Sequence, residues 1–506
     1  MAALVGRQAS RALLVALATQ TEEMTLAALA VACRSHLLEE ADDTYRFVHD
    51  DTYRFVHDVI REVIESDIGA GRRALLHRRV AEVLGSMPGE PAIELLAYHY
   101  DRAGMEEQAS RYLEQAGDRA RGQAAHMAAA QYYREAAARL EALGRREDAA
   151  RVRVRLGTLL TTAARYEDAL RVLEEAAALY DAAHDSDGLG RAVAQIGYAH
   201  ADQGTLEVGI RRLQTLVIPL TRDGAARGLA ALNAALASLF FVAGHYDEQL
   251  AAAAQAAELA RTIGDSRVLL QARLSLGTAL IMTGRSDEAL PVLEETISVA
   301  ESLGDLDSLS RALTSAASIY INRSAFETSM GYIDRALRVA ERVGDPVRTL
   351  RALCYRGSID LFTGQWPRAR GHFERALAAS HEVGMSAQYA YPVFYLGFLT
   401  LCEGGWGEAA SLLDDSIRIA EPIGDLQVLR WAYATRAECD LLQGHPDQAR
   451  DRLAAFCRPV SSKSSIAQSW QGASRRPRRR RVPARLSAIE SRGAHVVGDE
   501  MRRPYA

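Results

Sequence analysis

Lysine is nearly missing from this chain. Of 60 basic residues, Lys463 is the only lysine and the other 59 are arginine. A P-loop needs a lysine behind a glycine-rich turn to reach the β- and γ-phosphates of a nucleotide. No glycine-rich loop stands before Lys463, so the sequence carries no Walker A motif. Cysteine is scarce as well: Cys33, Cys354, Cys402, Cys439 and Cys457, none in a CxxC pair. That spacing argues against a disulfide framework or a thiolate metal site and fits buried thiols in a reducing cytosol. Aromatic residues make up only 7% of the chain, which suits a helical composition rich in Ala, Leu, Arg and Glu. No apolar run approaches the length of a membrane span, so no transmembrane helix is expected. Arg7 and Arg11 precede Leu13–Ala18, an apolar stretch too short for a secretory signal. The 13 histidines are scattered, and HExxH, GxSxG and a strand-linked GxGxxG are all absent. No catalytic centre, metal site or cofactor site is expected.

What the chain has is a glycine rhythm. Gly224, Gly264, Gly304, Gly344, Gly384 and Gly424 recur at one constant interval. A second row, half a period out of phase, holds Gly204, Gly244, Gly284, Gly364, Gly404 and Gly444. A fixed period of this length signals a solenoid. The first row closes apolar helical runs and is followed by Asp265, Asp305, Asp345 and Asp425. Glycine can take the left-handed conformation that ends a helix, and aspartate can cap the next one. Two helices per period are therefore predicted, and their crossing residues should be small. Gly157, Gly197, Ala237, Gly277, Ala317, Gly357, Gly397 and Ala437 share one phase. Twelve positions on stand Ala169, Gly209, Gln249, Ala289, Ser329, Ala369, Ala409 and Ala449, where only Gln249 is large. Small residues at both places let antiparallel helices pack ridge into groove. The residue before the first small row is core-forming at Leu156, Ile196, Leu236, Leu276 and Leu396, but Arg356 and Arg436 break it.

The order Leu276-Gly277, Gly284, Glu288-Ala289-Leu290 resembles the tetratricopeptide repeat. Its 40-residue form resembles the MalT-like repeat region of bacterial STAND ATPases and LuxR-type regulators. The resemblance implies an all-α fold: a right-handed superhelical solenoid of helical hairpins, about eight of them over 150–457. Such arrays serve as non-catalytic protein–protein interaction scaffolds, here the sensor or regulatory arm of a signalling or transcription regulator. In the family the first helix of each pair lines a concave groove. Residues six before the small position then face a protein or peptide partner: Arg151, Arg191, Ala231, Gln271, Arg311, Arg351, Tyr391 and Trp431, with Phe394 further along. Arginines on one phase can clamp carboxylates bidentately; alternatively each pairs with an acid of the adjacent helix.

The ends differ from the array. Residues 1–67 hold DTYRFVHD twice in tandem, at 43–50 and 51–58. The second copy runs into the apolar-periodic VIREVIESDI and is the better candidate for the working element. A leucine-rich helix, a short strand and a helix opening at His-Asp resemble the winged-helix end of a STAND nucleotide-binding module. The resemblance implies that His57, with Asp58, senses the β-phosphate of ADP, in this chain or on a separate ATPase chain; a plain helix start with Asp58 as cap is the alternative. Intact family members carry several hundred residues upstream, so the chain is expected to be the C-terminal portion of such a protein. Residues 68–149 read as a helical linker with irregular hairpins. Residues 458–506 hold 11 Arg and one Lys against three acids, a net +9, which leaves 1–457 near −14 of the total −5. Arg475, Arg476, Arg478, Arg479, Arg480 and Arg481 could contact nucleic acid through phosphates; a disordered tail is the plainer reading. A cytoplasmic location is expected, with no membrane partner.

Overall fold

The computed structural model describes residues 2–460, apart from 7, 42–51, 90, 344–345, 383–389 and 423–424. The first DTYRFVHD copy, the Arg475–Arg481 run, Asp345, Gly344, Gly384 and Gly424 lie outside the described residues. The chain is all-α apart from one small sheet, and it divides into two compact units, 1–199 and 200–506.

Unit 1 opens with α1 (Ala2–Val5), β1 (Gln8–Ser10), α2 (Arg11–Leu17), α3 (Glu22–Arg34), β2 (Leu38–Ala41) and β3 (Thr52–Phe55). The sheet order is β1-β3-β2 and both pairings are antiparallel. The strand comes from the second tandem copy. Tyr53 and Phe55 point to one face by the period-two rule and are buried with Leu13, Leu14, Leu17 and Leu38. Ser10 and Thr21 start α2 and α3 by accepting from the amides of Leu13 and Met24. Then follow α4 (Asp58–Ser66), α5 (Ala70–Ser86) and α6 (Ile93–Arg102).

From there the helices keep a fixed spacing: α7 (Glu106–Gly122), α8 (His126–Ala142), α9 (Arg146–Thr162), α10 (Tyr166–Ala182) and α11 (Ser186–Asp202). Each begins half a period after the last, so the spacing already runs through 106–142, upstream of the expected repeat region. Unit 2 continues with α12 (Leu206–Asp223), α13 (Ala226–Ala243), α14 (Tyr246–Ile263), α15 (Ser266–Met282), α16 (Ser286–Leu303), α17 (Leu306–Asn322) and α18 (Phe326–Val343). It ends with α19 (Pro346–Phe362), α20 (Trp366–Glu382), α21 (Ala390–Cys402), α22 (Trp406–Ala420), α23 (Leu426–Leu442) and α24 (Pro446–Val460).

The turns work as their chemistry dictates. Asp265 accepts from the amide of Val268, Asp305 from Ser308, and Asp425 from both Gln427 and Val428. Left-handed backbone recurs at each half-period from 104 to 444, at every described position of that phase. Eleven of these positions are glycine; Ala124, Ala164, His184 and Ser324 fill the other four in the same conformation, with φ between 56° and 57°. The crossings are tight. A Cβ on Gly277 would lie 2.6 Å from Leu293, and one on Gly357 would lie 2.4 Å from the ring of Phe373. The large residue sits 16 positions on, and Gly117 meets Tyr133 by the same rule. The exception at Gln249 is buried and held through its amide nitrogen: Nε2 donates to the Ser275 carbonyl and to Thr278 Oγ1, both at 3.0 Å, while Oε1 has no protein partner.

Among the described residues α13 is the one unbroken helix long and apolar enough to cross a membrane, and 61% of it is buried inside the protein. The expectation that no stretch reaches that length is corrected here. The apolar surplus of α13 is core, packed on α12, α14 and α15.

Candidate functional site

In unit 2 the odd-numbered helices touch one another in succession, α13 to α15, α15 to α17, α17 to α19, α19 to α21 and α21 to α23. Crowding of one layer in this way is what curvature does to the inner side of a double layer of helices. The curvature carries far enough for α13 to touch α23. A second approach lies beside the first: a Cβ on Gly204 would be 3.7 Å from the carbonyl oxygen of Pro422. Six inner helices thus form a ring, and their inward faces are the candidate binding surface.

The residues anticipated on that surface do not all share it. Gln271, Arg311, Arg351, Tyr391 and Trp431 lie on inner helices of unit 2, each partly or fully exposed. Tyr391 and Trp431 meet edge to face at 6.4 Å, and the Tyr391 hydroxyl donates to Gln427 Oε1 at 3.3 Å. Burial, with Asp425 beside it, pushes the Tyr391 phenol well above its ordinary range. Phe394 is only 6% exposed and stacks beneath this pair, its ring 5.8 Å from Trp431 and 6.2 Å from Phe398. It supports the aromatic wall from the core and offers no groove surface, which corrects its place among groove residues. Arg351 stands exposed beside Tyr391 and Cys354, whose ionisation it favours.

Arg151 and Arg191 belong to unit 1. Arg151 clamps Glu114 with both terminal nitrogens, Nη2 at 2.9 Å from Oε2. That hydrogen bond is the main reason its guanidinium is held above its usual range. Arg151 is therefore tied to an acid of the neighbouring helix, the alternative weighed for this row. Arg191 is exposed, its Nε 3.4 Å from the carbonyl of Asp187 one turn earlier.

His57 is the N-cap of α4 and makes no side-chain cap hydrogen bond there; Asp58 is the first residue inside the helix. Both are exposed. Asp58 thus does not cap α4, although a carboxylate in the first turn is favourable to the helix dipole.

Two further polar clusters were not anticipated. Arg356 and Arg436, the two breaks in the apolar row, each reach an acid on the preceding helix, Asp334 and Asp414. Arg436 also bonds Asp440, which takes Arg452 Nε at 2.9 Å. At the matching place two periods earlier, buried Asp360 takes His372 Nε2 at 3.2 Å. The signal was present in sequence as an Asp one helical turn after each Arg. In unit 1, His77 and His99 are fully buried with their Nδ1 atoms 2.9 Å apart. Burial lowers both, His99 to about 4. Among the described residues no cluster of three or more His, Cys, Asp or Glu could hold a metal.

Comparison with known proteins is consistent with a helical repeat. The family model for anaphase-promoting complex subunit 5 matches residues 225–281, 271–323 and 347–440, less than half of the chain. No curated protein matches the sequence. Among solved structures, a STAND protein with a tetratricopeptide repeat sensor from Pyrococcus horikoshii is 15% identical, with a TM-score of 0.49 over 81% of this chain and 60% of that one. Aspartyl phosphate phosphatase F from Bacillus subtilis is 12% identical, with a TM-score of 0.41 over 71% of this chain and 87% of its own. NprR in complex with its cognate peptide NprX is 12% identical, with a TM-score of 0.45 over 63% and 88%. The chain spans 60% of the length of the archaeal STAND protein.

Proposed function

We propose that this chain is a non-catalytic interaction scaffold, the repeat-built sensor arm of a STAND-type signalling or transcription regulator acting in the cytoplasm. Its partner is a protein segment bound on the inner face of unit 2. The observation that supports this reading is the succession of contacts through the six inner helices, on which Arg311, Arg351, Tyr391 and Trp431 would share one concave surface. Binding by an array of this kind needs no reactive group; it needs a long shaped surface with arginine and aromatic anchors. Full-length protein used as bait should retain a specific partner from lysate. Arg351→Glu with Trp431→Ala should release that partner while leaving helix content and melting unchanged. Retention of the same partner at the same level by the double variant would sink the assignment of the inner face.

A second reading is favoured by His57, exposed at the start of α4 with its side chain free of any cap bond. There it would meet the ADP of an ATPase module on a separate chain, an imidazole donating to phosphate at a helix N-terminus. If so, an ATPase that co-purifies with this chain should lose ADP affinity on His57→Ala. Unchanged ADP affinity would remove this reading and leave the scaffold.

A further inference from the structure

The inner face of unit 2 changes character from one end to the other. All six inner helices run in the same direction, so their N-termini gather at one mouth of the ring and their C-termini at the other. Residues ten before, six before, one after and five after each small crossing residue fall on one stripe, because 3.6 residues make a turn. At the N-terminal mouth this stripe carries Arg227 on α13 and Arg267 on α15, both exposed. One turn deeper it carries Arg311 on α17 and Arg351 on α19. Among the described residues Arg227, Arg267 and Arg351 hold no ion pair.

The acids near that mouth are already engaged. Asp265, Asp305 and Asp425 accept the cap hydrogen bonds of their helices, and Asp307 is paired with Arg348 at 3.1 Å. Midway along, the stripe carries hydroxyls on α13, α15 and α17, with Phe398 on α21 and Glu438 on α23. Ser238, Thr278 and Ser318 donate to the carbonyls of Ala234, Ser275 and Ser315 of their own helices. The Ser238 and Ser318 oxygens keep lone pairs that can accept from a ligand, while Thr278 Oγ1 already accepts from Gln249 Nε2. At the C-terminal mouth the stripe is apolar except for Asn322 on α17: Val242 is 40% exposed, Phe362 37% and Leu442 47%, with Met282 and Cys402 half-buried between them.

The size of the opening follows from packing. Six helices spaced about 9–10 Å apart place their axes roughly that far from the centre, and a helix with side chains is about 10–12 Å wide. The bore is therefore about 6–10 Å across, enough for one extended chain and too narrow for a helix or a folded domain. We infer that the ring takes a single extended peptide in a fixed orientation. Its acidic residues lie at the Arg227/Arg267/Arg351 mouth and its apolar residues at the Val242/Phe362/Leu442 mouth. This rests on the inner face being the partner surface, as proposed above. The hydroxyls between the mouths match backbone amides, which an acyl chain of the same width does not offer.

The test uses a random library of 12-residue peptides displayed against the full-length chain. Enriched peptides should carry Asp and Glu at one end and Leu, Phe or Val at the other. Arg267→Glu with Arg351→Glu should weaken them by about tenfold or more, as reversal of unpaired interface charges does. Both residues are exposed, so circular dichroism and melting of the variant should match the parent. A photo-crosslinker at the acidic end should label residues near 227–271, and one at the apolar end residues near 242, 282, 362 or 442. Enrichment without segregation of charge, labelling at the opposite mouths, or no enrichment at all would overturn the inference. In each of those cases a lysate partner that still depends on Arg351 and Trp431 would leave the scaffold function standing.

Discussion

His77 and His99 illustrate what burial does to a titrating side chain. Each sits fully inside unit 1 between α5 and α6, with Nδ1 facing Nδ1 at 2.9 Å. Burial holds both imidazoles below their ordinary value; the His99 value falls to about 4, with His77 adding to the effect. Glu65 pulls His77 upward, while Arg102 and Arg73 push it down. The unfolded chain, with imidazoles near 6.5, binds more protons than the folded one between about pH 6.5 and 4. Stability of unit 1 should thus be fully present above about pH 6.5 and fall as the pH drops towards 4, by on the order of 2–3 kcal/mol for such a shift. Amide exchange in α5 and α6 across this range will read the slope. His77→Phe with His99→Leu should flatten it, and an unchanged slope would place the acid sensitivity elsewhere. Packing makes a comparable demand at Gly357. An added Cβ would lie 2.4 Å from the Phe373 ring, and both residues are buried. Gly357→Ala should cost about 1–3 kcal/mol through overpacking, measured as a lowered denaturation midpoint. Val63→Ser on α4, whose side chain is 60% exposed, should by contrast leave the midpoint within about 0.5 kcal/mol.

At the scale of the helix and its turn, the protein asks for left-handed backbone once in every half-period. Glycine meets that demand without strain, but Ala124, Ala164, His184 and Ser324 meet it at φ of 56–57°. A left-handed residue with a Cβ costs roughly 1–2 kcal/mol, offset in part by the entropy glycine loses on folding. Ala164→Gly and Ser324→Gly should each therefore stabilise the chain by about 0.5–1 kcal/mol, seen as a higher denaturation midpoint. The same four residues explain how much of the fold was legible. Where glycine fills the turn, composition exposes the helix boundary. Where alanine, serine or histidine fills it, nothing in composition marks the turn, and the hairpin of 106–142 reads as irregular although its helices keep the common spacing. The Asp caps were readable because a carboxylate before an apolar run has one obvious local use. The candidate surface was less so. Phase placed Tyr391 and Trp431 on the inner face, yet three steps along a helix rotate a side chain by about 300°, enough to put Phe394 under that face. Pairing across helices, as at Arg151 with Glu114 or Arg436 with Asp414, depends on which residues sit side by side in space.

At the scale of unit 2, neighbour-to-neighbour packing sets the curvature, and curvature closes the ring. In a repeat array each hairpin touches mainly the next, so stability is close to a sum of local terms. The contact of α13 with α23, like the approach of Gly204 to Pro422, departs from this, because it joins elements five full periods apart in sequence. Closure then has a consequence that local packing does not. Removing residues 266–305 takes out α15, α16 and one full period, and it joins Asp265 to Leu306 with the Gly-Asp turn and the N-cap preserved. Hairpins away from the junction keep their neighbours, and α13 and α14 meet α17 in place of α15, so helix content per residue should hold. The inner layer drops to five helices with the same bend at each step, and α23 falls one step short of α13. Amides of α13 should then lose protection against exchange, while those of α19 to α22, far from the junction and from the gap, should keep theirs. Peptide or partner binding on the inner face should weaken together with α13 protection. Undiminished protection of α13 in the shortened chain would show that its apolar face is held by α12 and α14 alone, and that the ring gains nothing from closing.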